Sequence, residues 1–343
     1  MNADMLMLAA GLSLSLFTGP ALGDESGAQD AAGRAAAPTA VISEAEEAPV
    51  VSELSNADNA DRSMSARLGK LRAELESLPG MQRARVGVAL LVDGRDELLL
   101  GNRPDYPLMS VVKLPLAMAV LDRLEREGRS LDERVPFAAS ELATDTWSPM
   151  REAYPKGSEE LTLRDLLLYA LRQSDNNATD LLFARVVSPR GVMEYLRGLG
   201  LTEQSIVFTE REMGDEPLRC LQNTISPRCA ALLMERLVSA SVLRAPSRAF
   251  LIEALAGCQT GQNRIAAGLK GVPVEAMGHK TGTGPVLPGR GLIGYNDVAF
   301  VRLANGHRYV LAILVKDSQM APAETEALMA SISACVARSL SVL

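Results

Sequence analysis

Two histidines in 343 residues, His279 and His307, leave little room for a serine–histidine–aspartate relay. His307 follows an Asn-Gly turn signal that places it in solvent. No serine lies in the G-x-S-x-G elbow that such relays use. Cysteine is equally scarce. Cys220, Cys229, Cys258 and Cys335 show neither C-x-x-C spacing nor a histidine partner, which argues against zinc. Three disulfide pairings, or four buried thiols, stay open. No metal or other cofactor is expected. Acidic residues outnumber basic ones, 42 to 35, and no basic stripe exists, so nucleic acid is not an expected partner.

Long apolar runs are missing beyond residue 22, so no later segment reads as a membrane span. The early run, "MLMLAAGLSLSLFTGPAL" over residues 5–22, is interrupted by Gly11, Ser13, Ser15 and Pro20 and makes a poor anchor. Ala21 and Gly23 supply the small residues of a secretory cleavage site before Asp24. Residues 1–23 therefore read as a signal peptide. The expected protein is exported, periplasmic or secreted, with no stable membrane insertion after cleavage. The usual basic leader is absent, and a start at Met5 removes the misplaced Asp4. Residues 24–62 hold nine carboxylates and two arginines but no aromatic residue, and read as a disordered acidic linker. The body, 63–343, is close to neutral and is expected to be one monomeric domain.

What is present in that body has a clear order. Leu68, Leu71, Leu75 and Leu78 repeat at helical spacing ahead of Pro79-Gly80. Val86, Val88, Leu90 and Val92 alternate as a strand, Asp93-Gly94 signals a hairpin, and residues 97–100 return. Residues 108–264 are helical in pattern. Residues 292–303 and 307–315 then flank Asn305-Gly306 as a second hairpin, and a last helix follows Pro322. The expected fold class is α/β in the α+β sense. One antiparallel sheet is built from both chain ends, with packed helices and an all-helical half inserted between them.

Within the helical half, "LMSVVKLPLAMAVLDRLE" (residues 108–125) has no polar face in its first turns, yet contains Lys113, three residues after Ser110. Residues at i and i+3 share a helix face. A buried lysine loses hydration, which favours its neutral form, and a neutral amine beside a hydroxyl makes a nucleophile. Pro115 interrupts the helical hydrogen bonding just after the pair. "RQSDNNATD" places Ser174, Asp175 and Asn176 after an amphipathic helix, where a pocket-facing loop or a plain helix cap both fit. "GHKTGTG" places Lys280, Thr281 and Thr283 on a strand. There glycine admits a close backbone and lysine attracts a carboxylate, although a solvated edge strand fits as well.

The set S-x-x-K, S-D-N, K-T-G, in this order, resembles that of class A serine β-lactamases and the wider penicillin-recognising superfamily. The resemblance covers residues 63–343. "VFTEREMGDEPLRCLQN" supplies Glu210, 36 residues past Ser174, and its T-E-x-x-M pattern looks like a divergent class A branch that includes extended-spectrum enzymes. The loop departs from the usual pattern at Arg211, Gly214, Phe208 and Asn223, and Glu212 is a rival for the role of base.

The resemblance implies a β-lactam substrate, Ser110 as nucleophile, and Lys113 or Glu210 as the base that activates it. Ser174 is implied as proton relay and Glu210 as the base for deacylation. Backbone N–H groups of Ser110 and Thr283 are implied as the oxyanion hole. Asn176 is implied to bind the substrate amide, and Lys280, Thr281, Thr283 and Arg264 its carboxylate. Trp147, the single tryptophan, is implied at the site entrance, with core packing as the plain alternative. Two other activities fit the first three motifs: a D-alanyl-D-alanine carboxypeptidase or transpeptidase, and a penicillin-binding sensor that is acylated without turnover.

Overall fold

A computed structural model describes residues 51–342 of the chain. The expected signal peptide and most of the acidic linker lie outside the described residues. Five antiparallel strands form the main sheet: β1 (Arg85–Val92), β2 (Asp96–Leu100), β3 (Val274–Thr283), β4 (Tyr295–Leu303) and β5 (Arg308–Lys316), in the spatial order β2-β1-β5-β4-β3. β1 pairs with β5 along its whole length, Arg85 opposite Lys316 to Val92 opposite Tyr309, so both ends of the body close one sheet as expected.

β1 and β5 have no polar face because helices cover both sides. Along β1, Val88, Leu90 and Val92 enter one apolar cluster while Ala89 and Leu91 enter the other. β5 divides in the same way, with Leu311, Ile313 and Val315 on one side and Val310, Ala312 and Leu314 on the other. Side chains point alternately out of a pleated strand, so each strand serves two cores. The first core is closed by α1 (Val51–Glu76) through Leu68, Leu71 and Leu75 and by the last helix, α9 (Pro322–Ser341), through Leu328, Ile332, Cys335 and Val336. The helical backbone begins at Val51, so the linker expected over 24–62 stops short of its drawn end. Residues 51–62 contain no proline or glycine, and extending a formed helix costs far less than nucleating one.

The second core holds α2 (Lys113–Glu127), α3 (Leu163–Arg172), α4 (Asn176–Arg185), α5 (Pro189–Gly198), α7 (Pro227–Val238) and α8 (Ala245–Ala256). A one-turn helix, α6 (Glu210–Asp215), lies between α5 and α7. Asp93 and Gly94 both have positive φ, 50° and 72°, as a tight strand turn requires. His307 is half-buried rather than in solvent, because its Nδ1 meets Asp93 Oδ2 at 2.7 Å and ties the two hairpins together.

Candidate active site

Ser110 lies on a 3₁₀ turn, Met109–Val112, that runs directly into α2, whose first residue is Lys113. Side chains at i and i+3 eclipse in a 3₁₀ turn, so the two groups stack: Lys113 Nζ donates to Ser110 Oγ at 2.7 Å. Pro115 occupies the third position of α2, where a missing N–H leaves no helical bond unmade. Met109, just before the serine, is held at φ 47°, and Ser174 at φ 60°. Non-glycine residues in this region store strain, and both such positions border the site.

Lys113 is fully buried and surrounded by acceptors. Besides Ser110, its Nζ donates to Asn176 Oδ1 at 2.7 Å and to Glu210 Oε1 at 2.6 Å. Three donated bonds are the full complement of an ammonium group. The contact with Glu210 has the geometry of an ion pair. The carboxylate offsets the charge that burial would otherwise expel.

Glu210 begins α6, behind the N-cap Thr209. The rival Glu212 is engaged elsewhere: its Oε2 accepts from Thr209 N at 2.8 Å, completing a capping box. Two anchors hold this segment. Asp180 accepts from the backbone N–H of Glu210 and of Arg211, each at 2.8 Å. Burial and the neighbouring Glu210 charge push the Asp180 carboxyl up to about 7. Asn223 accepts from Val207 N and Phe208 N and donates to Phe208 O, so a neutral amide braces the loop. Gly214 leaves open space where a side chain would stand.

Both readings of the S-D-N segment hold, divided by residue. Asp175 is the N-cap of α4, accepting from Ala178 N at 2.8 Å, and it also holds Ser148 and Met150 N. Its neighbours turn into the site. Asn176 joins Lys113 to Thr146 Oγ1, and Ser174 Oγ accepts from Lys280 Nζ at 3.1 Å. Trp147 is 61% exposed, which removes the core-packing alternative. Its Nε1 donates to Gln173 O, and its carbonyl accepts from Asn176 N.

The K-T-G strand is not a solvated edge. Lys280 is fully buried, and burial pulls its ammonium down to about 7. Gly282 lets β3 pass against the serine turn: a Cβ there would stand 2.7 Å from Leu108 O and 3.3 Å from Ser110 N. Arg264 is buried, not a surface charge. Its Nη1 donates to Gly282 O and Asn296 O, its Nη2 donates to Thr283 Oγ1 at 2.6 Å, and its guanidinium lies 3.7 Å from the Tyr295 ring centroid. Asn296 Nδ2 in turn holds Pro107 O and Leu108 O. Sequence reasoning missed Asp180, Asn296, Tyr295 and Asp297. Asp180 had a faint signal as the last residue of "SDNNATD". The other three lie within a strand pattern with no motif. All four cysteines are buried free thiols. Among the described residues no cluster of His, Cys, Asp and Glu is arranged to hold a metal ion.

The sequence profile of the "Beta-lactamase enzyme family" matches residues 70–340. A β-lactamase from Phocaeicola vulgatus is 37% identical over 73% of this chain and 78% of its own. The extended-spectrum β-lactamase PER-1 of Pseudomonas aeruginosa is 30% identical over 78% of this chain and 87% of its own. Among solved structures, a β-lactamase from Chitinophaga pinensis superposes with TM-score 0.74 at 30% identity, covering 79% of this chain and 99% of that one. A class A β-lactamase from Bacteroides cellulosilyticus gives 0.75 at 29%, covering 81% and 99%. With the paired serine and lysine, the loop glutamate and the K-T-G strand converging on one site, the chain belongs to the β-lactamase enzyme family, in its class A serine branch.

Proposed function

We propose that the protein hydrolyses the lactam amide of penicillins and cephalosporins through a Ser110 acyl-enzyme, and so confers resistance to them. The observation that carries this reading is the unbroken chain Glu210–Lys113–Ser110, at 2.6 and 2.7 Å. Lys113 passes a proton to Glu210 and takes the Ser110 proton as Oγ attacks the carbonyl. Backbone N–H groups of Ser110 and Thr283, brought close by Gly282, receive the developing oxyanion, each such donor being worth about 10²–10³ in rate. Ser174, held by Lys280, delivers a proton to the departing nitrogen. The C–N bond breaks and the ester stays on Ser110. Lys113 resupplies the Ser174 proton and recovers its own from Glu210, which is again a carboxylate and takes a proton from a water molecule. That water attacks the ester, the proton passes to Ser110 Oγ as the C–O bond breaks, and the product is released.

Substrate recognition divides between two sides. Asn176 and the exposed Trp147 face the acylamide side chain. Lys280, Thr281, Thr283 and Arg264 form the carboxylate subsite. The likeness to PER-1, whose name states an extended spectrum, supports a broad range of β-lactam substrates. The apolar run at residues 5–22 supports export under a signal peptide ending at Gly23, with action in the periplasm or outside the cell. No helix among the described residues is long and apolar enough to cross a membrane.

A chromogenic cephalosporin in molar excess tests the reading. Many turnovers per protein molecule are expected, and Ser110→Ala is expected to leave neither turnover nor covalent adduct. A single stoichiometric burst from the native chain would instead identify a penicillin-binding sensor.

A further inference from the structure

The helix that carries Glu210, α6, has six residues, too few to keep a helical shape by its own hydrogen bonds. Its neighbours must fix it. On one side Met213 packs against Met109, Cys220 and Ile293. Asn223 holds the chain that enters the helix. At the helix start Asp180 takes the N–H groups of Glu210 and Arg211, but both bonds end on one carboxylate, which makes a pivot rather than a clamp. The last residues, Gly214 and Asp215, are exposed. A further fastening comes from Arg211. Its Nη2 donates to the carbonyl oxygen of Glu141, 70 residues away in the chain. Successive residues project about 100° apart around a helix, so this bond pulls α6 in a different direction from the Glu210 contact.

Glu141 is a held anchor. It ends a 3₁₀ turn, Ala139–Glu141, where its carboxylate accepts from Ala138 N at 2.9 Å and pairs with Arg185 of α4. Two residues on, Ala143 exchanges two hydrogen bonds with the side chain of Asn177, at 2.7 and 3.0 Å. Thr146 Oγ1 then accepts from Asn176 Nδ2 at 2.7 Å. These contacts close a ring around the site. Lys113 bonds Asn176, Asn176 bonds Thr146, and the chain runs back to Glu141. Glu141 receives Arg211, and Glu210 beside it returns to Lys113. Among the described residues, the Arg211 bond is the one hydrogen bond that joins α6 to the segment 138–147.

We propose that Arg211 is a positioning residue for deacylation: its guanidinium fastens α6 to the Glu141 carbonyl and so aims the Glu210 carboxylate at the water that attacks the acyl ester. The kinetic part of this proposal rests on the hydrolase reading, whereas the fastening of α6 does not. The two chemical steps depend on the clasp unequally. In acylation Glu210 exchanges a proton with Lys113, a contact that the ion pair itself maintains at 2.6 Å. In deacylation the carboxylate must also line up with a water and the ester, and that alignment follows from how α6 is seated. Misplacing a reacting group by about 1 Å can cost on the order of 10²-fold in rate. In an acyl-enzyme scheme, a slower second step lowers kcat and KM together and leaves kcat/KM, which reports the first step, unchanged. A surface hydrogen bond with no bearing on the reaction would move stability alone.

The test compares the native full chain with Arg211→Met, Arg211→Lys and, as a control for a changed charge on the same helix, Asp215→Asn. Rapid quench of a single turnover of a chromogenic cephalosporin, read by intact mass, gives acylation and deacylation rates separately. Amide hydrogen exchange is followed over residues 205–222. Arg211→Met is expected to slow deacylation about tenfold and to leave acylation within about twofold. Its kcat and KM should fall together, and its amides at 211–216 should exchange severalfold faster. Arg211→Lys keeps one donor for the carbonyl and should recover part of both losses. Asp215→Asn should match the native chain. Arg211→Gln, too short to reach Glu141, repeats the test if the methionine variant does not fold. Deacylation at the native rate overturns the positioning role, and so does a loss confined to acylation. Unchanged exchange overturns the clasp itself. A native chain that never turns over a cephalosporin, with faster exchange in Arg211→Met, supports the clasp and sinks the hydrolase reading instead.

Discussion

Replacing Glu210 with Gln removes one proton acceptor and little else. The amide keeps an oxygen toward Lys113 Nζ, so the 2.6 Å contact has a successor, and the backbone remains pinned by Asp180. What disappears is the group that draws a proton from water during deacylation. General bases typically contribute about 10²–10⁴ in rate, equivalent to roughly 3–5 kcal/mol of barrier. Acylation also loses the acceptor of the Lys113 proton and should slow, but Lys113 still touches the serine hydroxyl at 2.7 Å, whereas the water that attacks the ester is left with no base at all. The variant is therefore expected to acylate and stall. Intact-mass spectrometry should show the protein carrying one added substrate mass for minutes to hours, and steady-state turnover should fall by about 10²-fold or more. Glu212→Gln is the matched control. Its carboxylate accepts from Thr209 in a capping box that glutamine also completes, so turnover should be nearly unchanged. Undiminished hydrolysis by the Glu210 variant, or arrest by the Glu212 variant, would refute the assignment of the base.

Three further outcomes are expected. The Asp180 carboxyl rises from 3.8 to about 7 on folding, so the native state binds more protons than the unfolded chain between those values. This contribution to stability is present in full below about pH 4 and is lost as pH rises through 7, on the order of a few kcal/mol. Denaturant midpoints of Asp180→Asn should lack that slope, and a slope identical to wild type would count against it. Arg264→Lys loses the fork that bonds Gly282 O, Asn296 O and Thr283 Oγ1, so KM for carboxylate-bearing β-lactams should rise about tenfold with a smaller effect on kcat. Gly214→Asn meets nothing within 4 Å, so its thermal stability should stay within about 0.5 kcal/mol of wild type; a larger loss would show that the position is not open.

The candidate site residues could be picked out because their spacing is local in the chain. Ser110 and Lys113 meet through a three-residue spacing, and Asp175 to Asn176 through adjacency at a helix start. The residues that hold them in place were not readable. Asn296, in an apolar strand, carries the serine turn from across the sheet, and Asp180 is separated from Glu210 by 30 residues. The carboxylate that pairs with Lys113, Glu210, likewise comes from a loop 97 residues away.

Apolar alternation and the turn pairs Asp93-Gly94 and Asn305-Gly306 determined the strands, their hairpins and the helical middle from the chain alone, because these depend on periods of 2 and 3.6 residues and on local backbone sterics. Only folding decided which of two nearby glutamates reaches Lys113, that Arg264 is buried against Gly282 O and Thr283 Oγ1, and that His279 pairs with Asp297 of the neighbouring strand. Those outcomes depend on distances between segments far apart in sequence, set by how two cores pack against one sheet, and no local pattern encodes them.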